Sequence, residues 1–432
     1  MPNPACFIGV DLGTSGCRAV AIDRSGAELA SSRTLIPPPE TPEAGHVQQD
    51  PQQWWSAVVK VLQDLGGRLP NHHPKRISVD ATSATLLLTT EDGTPVSNAL
   101  MYNDCRSTRE AEQIARVAAK DSAATGATSS LAKLLHLNHL NPRRADKGPL
   151  IAAHQADWIT TCLTGISGIS DCNNCLKLGF NPEQQRWSPW LAQLDLGHIQ
   201  LPRVYSPGTT IGPITGKIAA LTGLPQDLMM TTGTTDSTAA VIAAGARFPG
   251  DAVTCLGSTL VLKIVSQRRI DAPELGIYSH RYGDNWLVGG ASNSGGAVLR
   301  SYFSDARICE LSAQLMPDRP TDLDYYPLPA PGERFPIRDP ALPPLLQPRP
   351  CEDWQFLQGI LEGIARIEAN GYRRLNELGA PEISRITTIG GGATNSAWTR
   401  IRCRILDRPV TIARHREAAY GSALVALQGG IA

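Results

Sequence analysis

Phe7-Ile8-Gly9-Val10-Asp11-Leu12-Gly13-Thr14-Ser15-Gly16 runs directly into Cys17-Arg18-Ala19-Val20-Ala21-Ile22-Asp23. An apolar strand ends in a carboxylate, a turn of glycines and hydroxyls follows, and a second apolar strand leaves it. The pattern predicts a β-hairpin whose tip gathers backbone N–H groups, hydroxyls and one Asp. Backbone N–H groups of a glycine-rich turn form an anion nest. A carboxylate beside such a nest suits Mg²⁺, which takes one or two carboxylates plus substrate phosphates. A nucleotide-phosphate site is one reading of the hairpin. An ordinary turn is the other, because Gly-Thr-Ser-Gly serves both.

The same design returns about 240 residues later, in Val253-Thr254-Cys255-Leu256-Gly257-Ser258-Thr259-Leu260-Val261-Leu262-Lys263. Two further glycine turns follow predicted strands. Met229–Thr232 enters Gly233-Thr234-Thr235-Asp236 and then a small-residue helix over 239–245. Ile386–Ile389 enters Gly390-Gly391-Gly392-Ala393-Thr394-Asn395. Two hairpins of one design predict duplicated domains facing each other across a cleft. That arrangement resembles the actin-like (ribonuclease H-like) superfamily, an α/β architecture of two lobes with a nucleotide cleft between them. The expected lobes are 1–244 and 245–416. A C-terminal helix within 417–432 is expected to pack back on the first lobe.

The chain has 432 residues, enough for two or three domains with ample cores. Lys+Arg and Asp+Glu are equal at 40 each, so no basic excess points to nucleic acid or to an anionic membrane surface. No apolar run reaches the roughly 18 residues of a membrane span. The start, Met1-Pro2-Asn3-Pro4-Ala5, lacks a basic stretch followed by a long apolar one, so no secretion signal is expected. The 10 cysteines are scattered and read as reduced thiols. Cys172-Asn173-Asn174-Cys175 has redox spacing but lacks the second pair that zinc would need, and two small loop residues are the plainer reading.

Asp50 with Pro51 predicts a helix start, continued by the helical spacing of Trp55, Val58, Val59 and Leu62. Trp54 and Trp55 read as core aromatics. Arg76–Asp80 and Thr85–Thr90 read as strands, and mixed helical segments are expected from Asp104 to about Trp190. Phe356–Ile367 and about Glu417 to Gln428 read as helices.

Eight segments, in order along nearly the whole chain, resemble the FGGY family of carbohydrate kinases. They are Gly9–Ser15; Gly45-His46-Val47-Gln48-Gln49-Asp50-Pro51 with Trp54-Trp55; Tyr102-Asn103-Asp104-Cys105-Arg106; Asp157-Trp158 with Leu163-Thr164-Gly165; Gly233–Asp236; Leu256–Thr259; Gly390–Asn395; and Glu417-Ala418-Ala419-Tyr420-Gly421-Ser422-Ala423. Asp80-Ala81-Thr82-Ser83-Ala84-Thr85 replaces the Gly-Gln-Met-His type of segment of xylulose kinases. With Leu176-Lys177-Leu178-Gly179-Phe180, it resembles a short cyanobacterial and plant-plastid branch similar to D-ribulose kinase. Two departures touch the sugar pocket: Tyr102 and His136 (in Lys133-Leu134-Leu135-His136) stand where the family has tryptophan.

The resemblance implies an ATP- and Mg²⁺-dependent kinase acting on the terminal hydroxyl of a ketopentose, D-ribulose first, D-xylulose second, glycerol or another polyol third. Its implied location is cytoplasmic, or the plastid stroma for a processed plant-type chain. Phosphoryl transfer needs an aligned hydroxyl, an acceptor for its proton and neutralised phosphate charge. Asp236 is the expected base. A carboxylate pKa of about 4 lies far below that of an alcohol, comparable to water at about 15.7. Asp236 therefore orients the hydroxyl and accepts its proton late; an N-cap for the following helix is the alternative, and both roles are compatible. Asp11 is expected to hold Mg²⁺ through water or to touch the sugar hydroxyl, with a plain turn residue as the alternative. Gly13, Thr14 and Ser15 are expected to hold the transferring phosphate, with Thr14 part of the catalytic set. Gly257, Ser258 and Thr259 are expected on the same phosphates, and Gly391, Gly392, Ala393 and Asn395 on adenine. Ser83, Asp104 and Arg106 are the expected sugar contacts beside Asp11 and Asp236. For Asp104 and Arg106 an internal ion pair is the alternative, and for Ser83 a strand-end hydroxyl. The competing classes are a sugar or nucleotide sensor on the same fold and an actin-like chaperone or filament protein. The presence of Asp11 and Asp236 argues against the first, the sugar-kinase segments around Asp104 and Asp157 against the second.

Overall fold

The computed structural model describes residues 3–141 and 148–431. Its contacts divide the chain into two units, Met1–Ala243 with Glu417–Ala432, and Ala244–Arg416.

In the first unit, β1 (Ala5–Leu12), β2 (Gly16–Ile22) and β3 (Glu28–Leu35) form an antiparallel meander. Helix α1 (Pro51–Gly67) follows, with Asp50 accepting from the Gln52 N–H at 2.9 Å and Pro51 in the first turn. Its Trp54 is fully buried, meets Trp158 edge to face at 6.2 Å between centroids, and donates from Nε1 to Gln49 Oε1 at 2.7 Å. Burying the ring with its one donor satisfied is what lets a tryptophan fill this core. Strand β4 (His73–Ala81) pairs parallel with β1, and β5 (Leu86–Thr89) leaves into a second sheet.

Next come α2 (Ser130–Leu140), β6 (Leu150–His154) and α3 (Gln155–Thr164). The expectation of helical segments from Asp104 to Trp190 is corrected here. Leu150-Ile151-Ala152-Ala153-His154 is a buried strand antiparallel to β5, and Ile169–Asp171 is another strand. A short run that is apolar on every side carries no period that separates strand from helix; the open edge of β5 decides it. Residues 142–147 of that region lie outside the described residues. Strands β7 (Thr210–Pro213) and β8 (Met229–Thr235) complete a main sheet of order β7-β8-β4-β1-β2-β3, and α4 (Asp236–Ala243) follows β8 directly.

The second unit repeats the plan. Strands β9 (Asp251–Leu256) and β10 (Leu260–Ser266) form the hairpin, extended antiparallel by β12 (Asn285–Ser292) and then β11 (Tyr278–Tyr282). Helix α5 (Gly296–Tyr302) and the long α6 (Asp353–Glu377) cover the sheet. Strands β13 (Arg385–Ile389) and β14 (Val410–Ile412) add parallel to β9, with α7 (Ser396–Leu406) between them, giving the order β11-β12-β10-β9-β13-β14. Phe356, Leu357, Ile360, Leu361 and Ile364 of α6 are buried against Leu262, Ile264 and Val288 of the sheet, an apolar stripe at helical spacing.

Helix α8 (Ala418–Gln428) returns to the first unit. It lies so close to α4 that a Cβ on Gly421 would stand 1.9 Å from the Ala239 carbonyl oxygen. Glycine is required there by proximity, not by backbone conformation.

Candidate active site

Three strand ends bring three carboxylates together. Asp11 lies at the end of β1, and its register partner on parallel β4 is Asp80. On the other side of β4, β8 pairs Thr234 with Asp80 and ends one residue before Asp236. Parallel neighbours present their carboxyl ends along one edge, where α/β proteins place ligands. Asp236 opens α4 and accepts from the Ser237 N–H at 2.6 Å, so the helix N-terminus supports its charge.

Burial, and then the negative charge of Asp236, push the Asp11 carboxyl up to about 6, against a hydrogen bond from Asp80 that favours the ionised form. Asp80 is fully buried, and burial followed by the charge of Asp11 drives it well above the usual carboxylate range. It is therefore the protonated member of the pair. Its Oδ2 accepts from the Ser422 hydroxyl of α8, and its Oδ1 meets no other donor. A proton on Oδ1, donated to Asp11, satisfies both groups. Sequence reading missed Asp80; its signal was a carboxylate at a strand end in the stretch that departs from the xylulose-kinase pattern.

Beyond Asp11 the hairpin turn is tight, with the Gly13 N–H donating to Gly16 O at 3.0 Å. Thr14 is half-buried and Ser15 exposed. An open cavity of about 700 Å³ is lined by Asp11, Gly13 and Ser15 together with Arg18, Arg33 and Lys60. Cations beside an anion nest suit phosphate. Arg33 and Lys60 gave no sequence signal, since only the pairing of β3 and the packing of α1 bring them there. Among the described residues no three or more His, Cys, Asp or Glu side chains form a metal cage. The donor set at Asp11 fits Mg²⁺, a cation held by one or two carboxylates with water and phosphates completing the shell.

The sugar-side expectations separate. Asp104 is fully buried, accepting from the Val47 N–H at 2.6 Å and from Arg106 N at 3.2 Å, with Arg106 Nε 2.9 Å and Nη2 2.8 Å from Oδ2. The internal ion pair, the alternative reading of these two residues, is present, and both Asp104 oxygens accept hydrogen bonds within the fold. Arg106 is the member left at the surface of the pair, and its Nη2 also donates to Gln48 Oε1 at 3.3 Å. Ser83 is the one half-buried residue in a turn whose neighbours Thr82, Ala84 and Thr85 are buried.

In the second unit a cavity of about 570 Å³ is lined by Gly257, Ser258, Arg300, Gly391, Gly392 and Asn395 among others. Gly391 has open space where a Cβ would be, whereas a Cβ on Gly392 would lie 2.5 Å from the Trp398 ring. Trp398 thus packs where a side chain on Gly392 would lie, while Gly392 itself lines the cavity. Ala393 is fully buried and its side chain does not line the cavity. Asn395 caps α7 through the Trp398 N–H at 3.0 Å and donates to Ser312 Oγ at 2.8 Å. Ser258 Oγ accepts from Arg300 Nη2 at 2.9 Å; Arg300 is another cation that sequence reading missed. Thr259 is half-buried in the same turn.

Two other constellations are structural. Ser130 Oγ, His154 and Asp157 stand in line at 3.0 and 2.9 Å, but all three are buried, so no substrate reaches the serine. Cys172 and Cys175 are fully buried and form no disulfide.

The first unit matches the model of the N-terminal domain of the FGGY family of carbohydrate kinases over residues 6–243, and residues 252–429 match its C-terminal domain. The chain belongs to this family. It is a carbohydrate kinase, a phosphotransferase, and FGGY kinases use ATP. A xylulose kinase of Staphylococcus epidermidis is 25% identical over 98% of this chain and 87% of its own length. The ligand-bound xylulose kinase of Lactobacillus acidophilus superimposes with a TM-score of 0.86 at 19% identity, covering 98% of this chain and 89% of that one. The glycerol kinase of Plasmodium falciparum, solved with ADP, gives 0.85 at 15% identity over 99% and 90%. The fold of this FGGY chain is accordingly the two-domain, actin-like α/β fold of those kinases. Among its described residues no helix is long and apolar enough to cross a membrane.

Proposed function

We propose that this kinase transfers the γ-phosphate of Mg-ATP to the terminal primary hydroxyl of a ketopentose, with D-xylulose as the leading acceptor. The relatives named xylulose kinase support the acceptor class. The observation that carries the chemistry is the convergence of Asp11 and Asp236 at the ends of β1 and β8, on either side of β4, close enough for the charge of Asp236 to raise the Asp11 carboxyl. Asp236, oriented by the start of α4, takes the proton of the acceptor hydroxyl as the new P–O bond forms. Asp11 would hold Mg²⁺, and it faces the same hydroxyl. Bound Mg²⁺ neutralises charge on the phosphate oxygens.

Gly13, Thr14 and Ser15 hold phosphate oxygens in the first unit, with Arg18, Arg33 and Lys60 supplying positive charge. In the second unit Gly257, Ser258 and Thr259 take phosphate oxygens, and the cavity bounded by Gly391 and Asn395 takes the adenosine moiety. Gly392 and Ala393 shape that wall through backbone and packing. Arg106, aimed by Asp104, and Ser83 bind sugar hydroxyls.

D-ribulose is the second reading. It rests on the Asp80–Thr85 segment, whose only half-buried side chain is the small hydroxyl of Ser83, where xylulose kinases carry a larger Met-His type pair. A coupled ADP-release assay with Mg-ATP decides between them, using D-xylulose, D-ribulose, their L forms, ribitol, glycerol and a no-sugar control. Preference for D-xylulose, lost in Asp236→Ala, is expected. Preference for D-ribulose selects the second reading, and a rate independent of every sugar overturns both.

A further inference from the structure

Lys133 of α2 is fully buried. Its ammonium donates to two backbone carbonyls, Ala84 O at 2.8 Å and Thr128 O at 3.0 Å. Among the described residues no carboxylate lies within ion-pair distance of it. Burial is the main cause that lowers its pKa to about 7. Keeping an ammonium away from water is costly, and the Asp104 carboxylate, beyond ion-pair distance, offsets this only in part, against the like charge of Lys177. A neutral amide would brace a turn more cheaply, so the placement asks for a reason.

The turn that Lys133 grips is itself strained. Ala84 has φ +67°, a left-handed conformation that is strained for a non-glycine residue. Such strain persists only where the surroundings over-determine the backbone. Here they do. Gln155 Oε1 accepts from Thr82 Oγ1 at 2.7 Å and from Thr82 N at 3.3 Å. Thr82 and Thr85 share a hydroxyl hydrogen bond at 2.6 Å, and Gln155 N donates to Thr85 O at 3.3 Å. Gln155 thus holds both ends, and Lys133 the Ala84 carbonyl, of a turn whose one half-buried side chain is Ser83.

We propose that Lys133 is a positioning residue for the sugar: its ammonium holds the Ala84 carbonyl so that the strained turn presents Ser83 to the acceptor. The inference rests on the assignment of Ser83 to the sugar made above. Lys133 does not touch substrate; it sets acceptor affinity by fixing a backbone that would otherwise relax out of the left-handed region.

The test is steady-state kinetics on wild type, Lys133→Met, Ala84→Gly and the double variant, with the fold followed by circular dichroism. Lys133→Met is expected to raise the ketopentose KM about tenfold or more, the scale of a displaced contact group, while the ATP KM stays within about twofold. Ala84→Gly alone is expected to leave both constants near wild type. In the double variant glycine accepts the left-handed conformation without strain, so the sugar KM is expected to recover in part. General destabilisation would not be repaired this way. If Lys133→Met does not fold, Thr82→Val, which cuts the clamp at the other end of the turn, is read by the same split in KM. Equal changes in both KM values, or an unchanged sugar KM in a folded variant, overturn the inference. A wild-type enzyme without sugar-dependent turnover instead overturns the functional reading on which it rests.

Discussion

Asp11 and Asp80 are register partners on neighbouring parallel strands, and one proton serves the pair. Burial makes two adjacent negative charges costly, so the fully enclosed Asp80 stays neutral and hydrogen-bonds the ionised Asp11. Ser422, from the far end of the chain, holds the other oxygen of Asp80. The C-terminal helix therefore takes part in setting the charge at the end of β1.

This arrangement sets the pH dependence. In its proposed role Asp11 holds Mg²⁺ only when ionised, and burial with the nearby Asp236 charge pushes its carboxyl up to about 6. The rate at limiting substrate is expected to fall as pH drops through about 6. Asp80→Asn retains a donor toward Asp11 and should leave that limb nearly in place. Asp80→Leu removes the donor that favours the ionised form, so the limb should move to higher pH. A limb that does not move in Asp80→Leu refutes the coupling.

The same shift predicts a metal effect on stability. A carboxyl raised in the folded state contributes stability that is present below its unfolded value of 3.8 and is lost as pH rises through about 6. Mg²⁺ offsets the charge that appears above that point. Added MgCl₂ should therefore raise the thermal midpoint more at pH 8 than at pH 5, and an equal rise at both argues against a cation at Asp11.

Asp236→Asn keeps the size of the side chain and removes the proposed proton acceptor. The expected loss in kcat is at least ~10²-fold, the lower range for removing a general base, in the ADP-release assay. A near-normal kcat would assign Asp236 to helix capping alone.

In the second unit Glu368 and Arg402 form a fully buried ion pair, extended by Thr254 and Thr388. Arg402→Met leaves the Glu368 carboxylate without its partner and should cost about 3–5 kcal/mol, read from urea unfolding. Adding Glu368→Leu should restore much of the loss, because an apolar pair needs no counter-charge.

Gly421→Ala drives a methyl group into the Ala239 carbonyl of α4. Overpacking of this kind costs about 1–3 kcal/mol. Since α4 carries Asp236 at its first turn, kcat should fall along with the thermal midpoint. Gly391→Ala, facing open space, is the contrast and should leave the midpoint nearly unchanged.

Much of this was legible one segment at a time. The β1–β2 hairpin, its echo in β9–β10 and the start of α1 at Asp50 follow from apolar alternation, turn glycines and a capping carboxylate, all properties of neighbours in sequence. The strand at Leu150–His154 was not legible, because a short run that is apolar on all faces has no period to read. The site divides in the same way. Asp11 and Asp236 stand beside glycine turns and announce themselves, whereas Arg33, Lys60, Arg300 and Lys133 lie in unremarkable stretches far from any motif.

The sequence by itself determined the architecture, the family and which carboxylates end which strands, because these depend on local pattern and on the order of segments. Only the tertiary structure decided what each polar group has to spend. It showed that Asp104 is paired with Arg106 and hydrogen-bonded by the Val47 backbone, that Trp398 packs where a side chain on Gly392 would lie, that burial favours the neutral form of Asp80 next to Asp11, and that Lys133 braces a strained turn. Hydrogen-bonding capacity and charge state depend on burial and on partners brought in from distant parts of the chain, and no spacing along a sequence encodes either.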